Sequence, residues 1–171
     1  MAGQRDFWVT NTKELARLQR QLERAGHGQL KKALNARIRA AARPVHRDLQ
    51  QRLRTLPIRS QPARSRGGGP SPTSRPFRAG MARAIRLSVT TGSGAKIWVD
   101  RNRLPEGVTT GVIVQLNEGR LRHPTFGNKS RRGWVNQHAP QGWWWDTIKP
   151  HMPRLNAAVK RAMTDFERHL K

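Results

Sequence analysis

The sequence predicts an α+β domain: a long kinked N-terminal helix and a C-terminal helix packed on a small antiparallel sheet of three to four strands. Three observations lead there. Apolar residues recur at helical spacing from Leu30 to Leu53 and again from Leu155 to Leu170. Between these runs, Ile85, Leu87 and Val89, then Ala95, Ile97 and Val99, alternate with other residues as a half-buried strand requires. The "TGSGA" between those two stretches is a hairpin signal.

Residues 1–12 read as an N-terminal arm, and residues 13–171 as a single domain. Asn11 stands three residues before Glu14, the spacing of a capping box. Leu15, Leu18 and Leu22 then mark a short amphipathic helix, which the glycines of "AGHGQ" interrupt. Leu30, Leu34, Ile38, Ala41, Val45, Leu49 and Leu53 form one stripe with Arg and Lys on the other faces. Pro44 falls inside it and removes one helical hydrogen bond. Because the stripe keeps phase across Pro44, the pattern predicts one kinked helix.

Residues 57–76 are of different composition. Pro, Gly, Ser and Arg dominate, with Ile58 as the only large apolar residue. Such a segment buries too little to offset its ordering entropy, so it predicts a mobile basic loop inserted between helix and sheet. Its Arg59, Arg64, Arg66 and Arg75 are candidates to face DNA or an acidic partner. After the hairpin, Val112, Val114 and Leu116 alternate with Ile113 and Gln115, which predicts a third strand ending at Glu118–Gly119. "GWVNQ" is a candidate fourth. Leu155, Val159, Ala162, Met163, Phe166 and Leu170 give the closing helix, with Pro153 suited to its first turn.

Composition narrows the function classes. The chain has 171 residues, 35% of them hydrophobic, enough for one domain of modest apolar content. It has no cysteine, which excludes disulfides, thiolate metal sites and a cysteine nucleophile. No apolar run approaches the ~20 residues of a membrane span, and "MAGQRDFWVTN" lacks the apolar core of a signal peptide. Lys and Arg number 34 against 10 Asp and Glu, a formal charge of +24. That balance implies a polyanionic or acidic partner.

Nothing in the sequence assembles an enzyme. No two acids sit at a spacing that argues for paired carboxylates. His123, His138 and His151 lack the close pairing of a zinc site. Asp100 and Glu106 flank a basic loop as ordinary turn residues do. "RGGGPSP" lacks the Gly-Lys-Ser/Thr ending of a phosphate loop. Neither a metal nor a cofactor is expected, which leaves a binding module or an assembly component.

Leu121–Trp145 holds four of the six tryptophans and no acid before Asp146. "LRHPTFGN", then "WVNQ", then "PQGWWW" resembles a head–tail connector family of long-tailed double-stranded DNA phages, the neck or tail-completion proteins of actinobacterial phages. The residues that carry the likeness are Arg122, His123, Pro124, Phe126, Gly127, Trp134, Val135, Gln137, Pro140 and Trp143 to Trp145. Met81–Gly107 also looks like that family's first hairpin.

The resemblance implies no catalysis. It implies a virion protein at the head–tail interface, made in the host cytoplasm. Such a protein forms a homo-oligomeric ring, six-fold beside a tail tube, between head-closure proteins and the tube. It touches neighbouring neck and tail proteins and, nonspecifically, duplex DNA, but no membrane. Arg122, His123, Pro124, Phe126, Gly127, Trp134 and Gln137 would then form a structural clasp. Trp143, Trp144 and Trp145 would form a subunit or partner interface. Three consecutive residues cannot all face one way, so the expectation is one Trp in the core and one or two turned outward. The alternative is a sequence-nonspecific basic DNA-binding protein acting alone, which +24 would also suit.

Overall fold

The computed structural model describes residues 7–8, 13–60, 77–90, 94–124 and 134–168. Leu15, Leu18 and Leu22 line the buried face of helix α1 (Lys13–Arg24). The chain turns at Gly26, whose φ of 69° suits glycine, and helix α2 runs from Gly28 to Thr55. Across that break the buried Gln19 amide donates to Asn35 Oδ1 at 2.8 Å, and Lys31 pairs with Glu23 at 2.9 Å. Pro44 is accommodated within α2, which continues as one element on both sides of it.

Helix α2 is the spine of the core. Its Leu34, Ile38, Ala42, Val45, Leu49 and Leu53 are all buried, and it contacts most other elements. Each fully buried aliphatic side chain of this kind contributes about 1.5–3 kcal/mol. Strand β1 (Phe7–Trp8) precedes α1, and strand β2 (Arg59–Ser60) follows α2. Next come helix α3 (Phe77–Ala84), strand β3 (Ile85–Thr90) and strand β4 (Gly94–Val99). Arg78 Nη1 donates to the Leu56 carbonyl at 2.7 Å and so closes the C-terminal end of α2. His46 Nε2 and Gln50 Nε2 both reach the Ile85 carbonyl, at 2.8 and 3.1 Å, and tie α2 to the start of β3.

Helix α4 (Thr110–Asn117), strand β5 (Arg120–Pro124) and strand β6 (Trp134–His138) follow a 3₁₀ turn at Arg101–Arg103. Helix α5 (Trp143–Ile148) and a 3₁₀ turn lead into helix α6 (Met152–Arg168). Leu155, Val159, Ala162 and Phe166 of α6 pack into the same core as α2, and Leu170 lies outside the described residues.

The class is α+β, but the strands divide between two antiparallel sheets. One has the order β1-β4-β3 and the other β2-β6-β5. The expected hairpin pairs Ile85 with Val99 through Thr90 with Gly94. Phe7 and Trp8, within the expected N-terminal arm, pair with Ile97 and Lys96 on the other edge of β4. Arg59 and Ser60, expected in a mobile loop, pair with His138 and Gln137.

The third strand expected at Val112–Leu116 is instead helix α4. Ile113 and Leu116, three apart, face the core. Gly119, at φ 91°, ends the helix: its N–H donates to the Leu116 carbonyl at 3.2 Å, and that of Glu118 to Val114 at 2.9 Å. A left-handed glycine after a helix is a common stop, and "EG" signals it as readily as a strand end. Helix α3, on "FRAGMARA", was not expected at all.

Candidate interaction surface

The described residues of Leu121–Trp145 include the β5–β6 pair. Register runs from Arg120 opposite His138 to Pro124 opposite Trp134, with Arg122 facing Asn136 and His123 facing Val135. Leu121 is buried and Arg122 is exposed, as the two-residue period of a strand requires. Pro124 sits at the end of an edge strand, a position where proline is tolerated. Gln137, opposite Leu121, is bridged on its other side by Ser60. Five of the seven clasp residues, Arg122, His123, Pro124, Trp134 and Gln137, therefore lie on one strand pair. Phe126 and Gly127 lie outside the described residues.

The clasp then closes on α4. The Ala139 N–H donates to the Gly119 carbonyl at 2.9 Å, and that of Gly142 to the Asn117 carbonyl at 2.8 Å. Asn117 Oδ1 accepts the Trp144 N–H at 3.0 Å. One asparagine at the end of α4 thus caps the start of α5, whose own N-cap is Gly142 with no side chain to offer. Sequence reading missed Asn117. Its signal was an amide residue just before a Glu-Gly turn, which is easily taken for the turn itself.

Gly142, at φ 75°, sets the angle at which α5 departs. The three tryptophans then fan out around its first turn. Trp143 is 1% exposed, Trp144 7% and Trp145 37%. Trp143 and Trp144 meet edge to face, with ring centroids 5.6 Å apart and planes at 73°. This corrects the interface assignment. Trp143 and Trp144 belong to the core, because steps of ~100° along a helix let two adjacent rings share the inward side and force the third outward. Trp145 is the exposed large hydrophobic side chain among the described residues.

Several charged groups elsewhere hold local structure. Asp100 accepts the Asn102 N–H at 3.1 Å and meets Arg103 at 3.5 Å, which makes it the cap of a 3₁₀ turn. His151 Nε2 lies 2.9 Å from Asp48, so a histidine at the head of α6 is held against α2. Arg37 meets Asp165 at 2.9 Å and lies over the Phe166 ring at 5.1 Å. Among the described residues no group of His, Asp and Glu is placed to hold a metal, and no helix is long and apolar enough to cross a membrane. Of the four loop arginines, Arg59 lies on β2, while Arg64, Arg66 and Arg75 fall outside the described residues. Comparison with protein-family models, with curated proteins and with solved structures found no match for this chain.

Proposed function

We propose that the chain is a structural subunit of a phage neck. It would form a ring, six-fold in this reading, that joins the head-closure proteins to the tail tube and surrounds the DNA path. It works by assembly and carries out no catalysis. The observation that carries the reading is the Arg122–Trp145 segment. Arg122, His123, Pro124, Trp134, Val135 and Gln137, which carry much of the likeness to the neck family, lie on one strand pair that leads through Gly142 to α5, where Trp145 is exposed. Exposed Trp at the edge of a rigid element suits a subunit contact, since Trp and Arg are enriched where interfaces hold their energy.

The second reading, a solitary nonspecific DNA-binding protein, draws on the +24 charge. Against it stands the spread of Lys and Arg over α1, α2 and α6 alike. Mass photometry at physiological salt, with the protein alone and with the neighbouring neck proteins of its virion, separates the two. Closed oligomers of fixed size are expected. A monomer that persists with every neighbour added would overturn the neck reading.

A further inference from the structure

The outward face of α2 carries a row of five cations. Lys32, Arg39, Arg43, Arg47 and Arg54 are all exposed and fall within an arc of about 80° at 3.6 residues per turn. They lie away from the stripe of Leu34, Ile38, Val45, Leu49 and Leu53 that α2 buries. At 1.5 Å per residue the row is about 33 Å long, close to one turn of B-form DNA.

This row differs from the other cationic positions. On α1, Arg17 and Arg20 each have a glutamate three residues away, Glu14 and Glu23, and the cleft lined by Glu14 and Arg17 also takes Glu167. On α6, Arg161 stands four residues before Asp165. Along α2 no acid stands three or four residues from any of the five, and Arg39–Arg43 and Arg43–Arg47 are like-charge neighbours. Asp48, the acid of this helix, is turned to His151. Like Arg17, Arg20 and Arg161, none of the five makes an ion pair among the described residues; the α2 row is set apart by its alignment on one face and by the lack of an acid one turn away. Water and salt screen such a row in part, and an extended anion lying along it would neutralise all five charges at once.

We infer that this face of α2 is the surface the protein lays along the phosphate backbone of duplex DNA. Four of the five cations are Arg, whose planar guanidinium grips phosphate oxygens in pairs. Between them stand the exposed Ala36 and Ala40, small enough to let a backbone approach. The face has no large apolar side chain to serve as the core of a protein–protein contact; the exposed Trp145 is on α5. It offers no set of amides aimed at base edges, so contact is blind to sequence. The inference rests on the neck reading for its duplex, and it moves the DNA-facing surface from the 57–76 segment to the long helix.

The test compares two variants of equal charge, Arg39→Gln/Arg43→Gln/Arg47→Gln on α2 and Arg17→Gln/Arg20→Gln/Arg161→Gln elsewhere. Fluorescence anisotropy with a short random-sequence duplex gives the slope of log affinity against log salt. Three lost phosphate contacts lower the magnitude of that slope by about 2.7, and the α2 variant alone should show it. An unchanged slope, or an equal loss in the control, overturns the inference. So does an α2 variant that loses affinity for polyglutamate while keeping it for the duplex, which would mark an acidic protein as the occupant. A measurement on the unmodified protein covers the case of a variant that fails to fold. Phenylglyoxal labelling should be blocked by duplex at Arg39, Arg43 and Arg47 and not at Arg20 or Arg161; uniform labelling overturns the inference. Mass photometry of the same samples separates the two readings. Absent rings with the slope difference intact contradict the neck reading alone, and rings without a slope difference contradict this inference alone.

Discussion

Asn117 holds Trp144: its side-chain oxygen accepts the Trp144 backbone N–H at 3.0 Å while its own carbonyl accepts the Gly142 N–H at 2.8 Å. Through these two bonds the end of α4 fixes where α5 begins, and so which of three consecutive tryptophans faces the core. Asn117→Ala should cost about 1 kcal/mol, in the range of a lost helix cap, and Asn117→Asp should recover most of it. Denaturant melts of the two variants check this, and equal stability of Asn117→Ala and the unmodified protein would contradict the capping role.

The tryptophans should separate by substitution. Trp143→Ala should destabilise by about 3–5 kcal/mol, as loss of a buried aromatic does. Trp143→Phe should cost far less than Trp143→Ala. Trp143 and Trp144 each bury an indole N–H with no hydrogen-bond partner among the described residues, and such a donor itself costs ~1–3 kcal/mol. Calorimetry of the single variants gives the ranking.

Gly80 lies in α3 against Pro105, where an added Cβ would come within 2.6 Å of the ring Cγ. Intrinsic propensity would make Gly80→Ala stabilising by up to about 1 kcal/mol. The rigid proline ring reverses the sign, and a loss of ~1–3 kcal/mol is expected from overpacking. A rise in melting temperature would show that α3 does not sit against that loop as described.

These results also show what the residue pattern could and could not convey. The stripe from Leu34 to Leu53 and the Leu155–Phe166 face were legible because burial repeats at one period over many turns. The β3–β4 hairpin was legible for the same reason at period two. Val112–Leu116 satisfied both periods, with β-branched residues favouring a strand, and packing of Ile113 and Leu116 decided for helix. Strand β5 was hidden because "RLRHP" buries one large apolar residue, Leu121, and ends on proline. Strands β1 and β2 are two residues each, too short to carry a period. Within the candidate site, geometry alone required that one tryptophan turn outward. That two turn inward follows from Asn117 and Gly142, whose roles exist only once α4 and α5 meet.

Trp145→Ala should cost the monomer clearly less than Trp143→Ala and leave it folded, since Trp145 is 37% exposed against 1% for Trp143. It should nonetheless prevent or weaken oligomer formation, because truncating a hot-spot Trp typically costs an interface more than 2 kcal/mol. Sedimentation velocity on folded Trp145→Ala, run beside the unmodified protein, reads both effects.

The most direct measurement is a set of cryo-EM images of the purified protein, concentrated at physiological salt with its neck neighbours present. Closed rings are expected, with α5 and Trp145 at the joint between adjacent copies and the row of cations on α2 turned toward the central channel. Dispersed monomers, or rings whose joints leave Trp145 in solvent, would contradict the proposal that this protein is a ring subunit joined through Trp145.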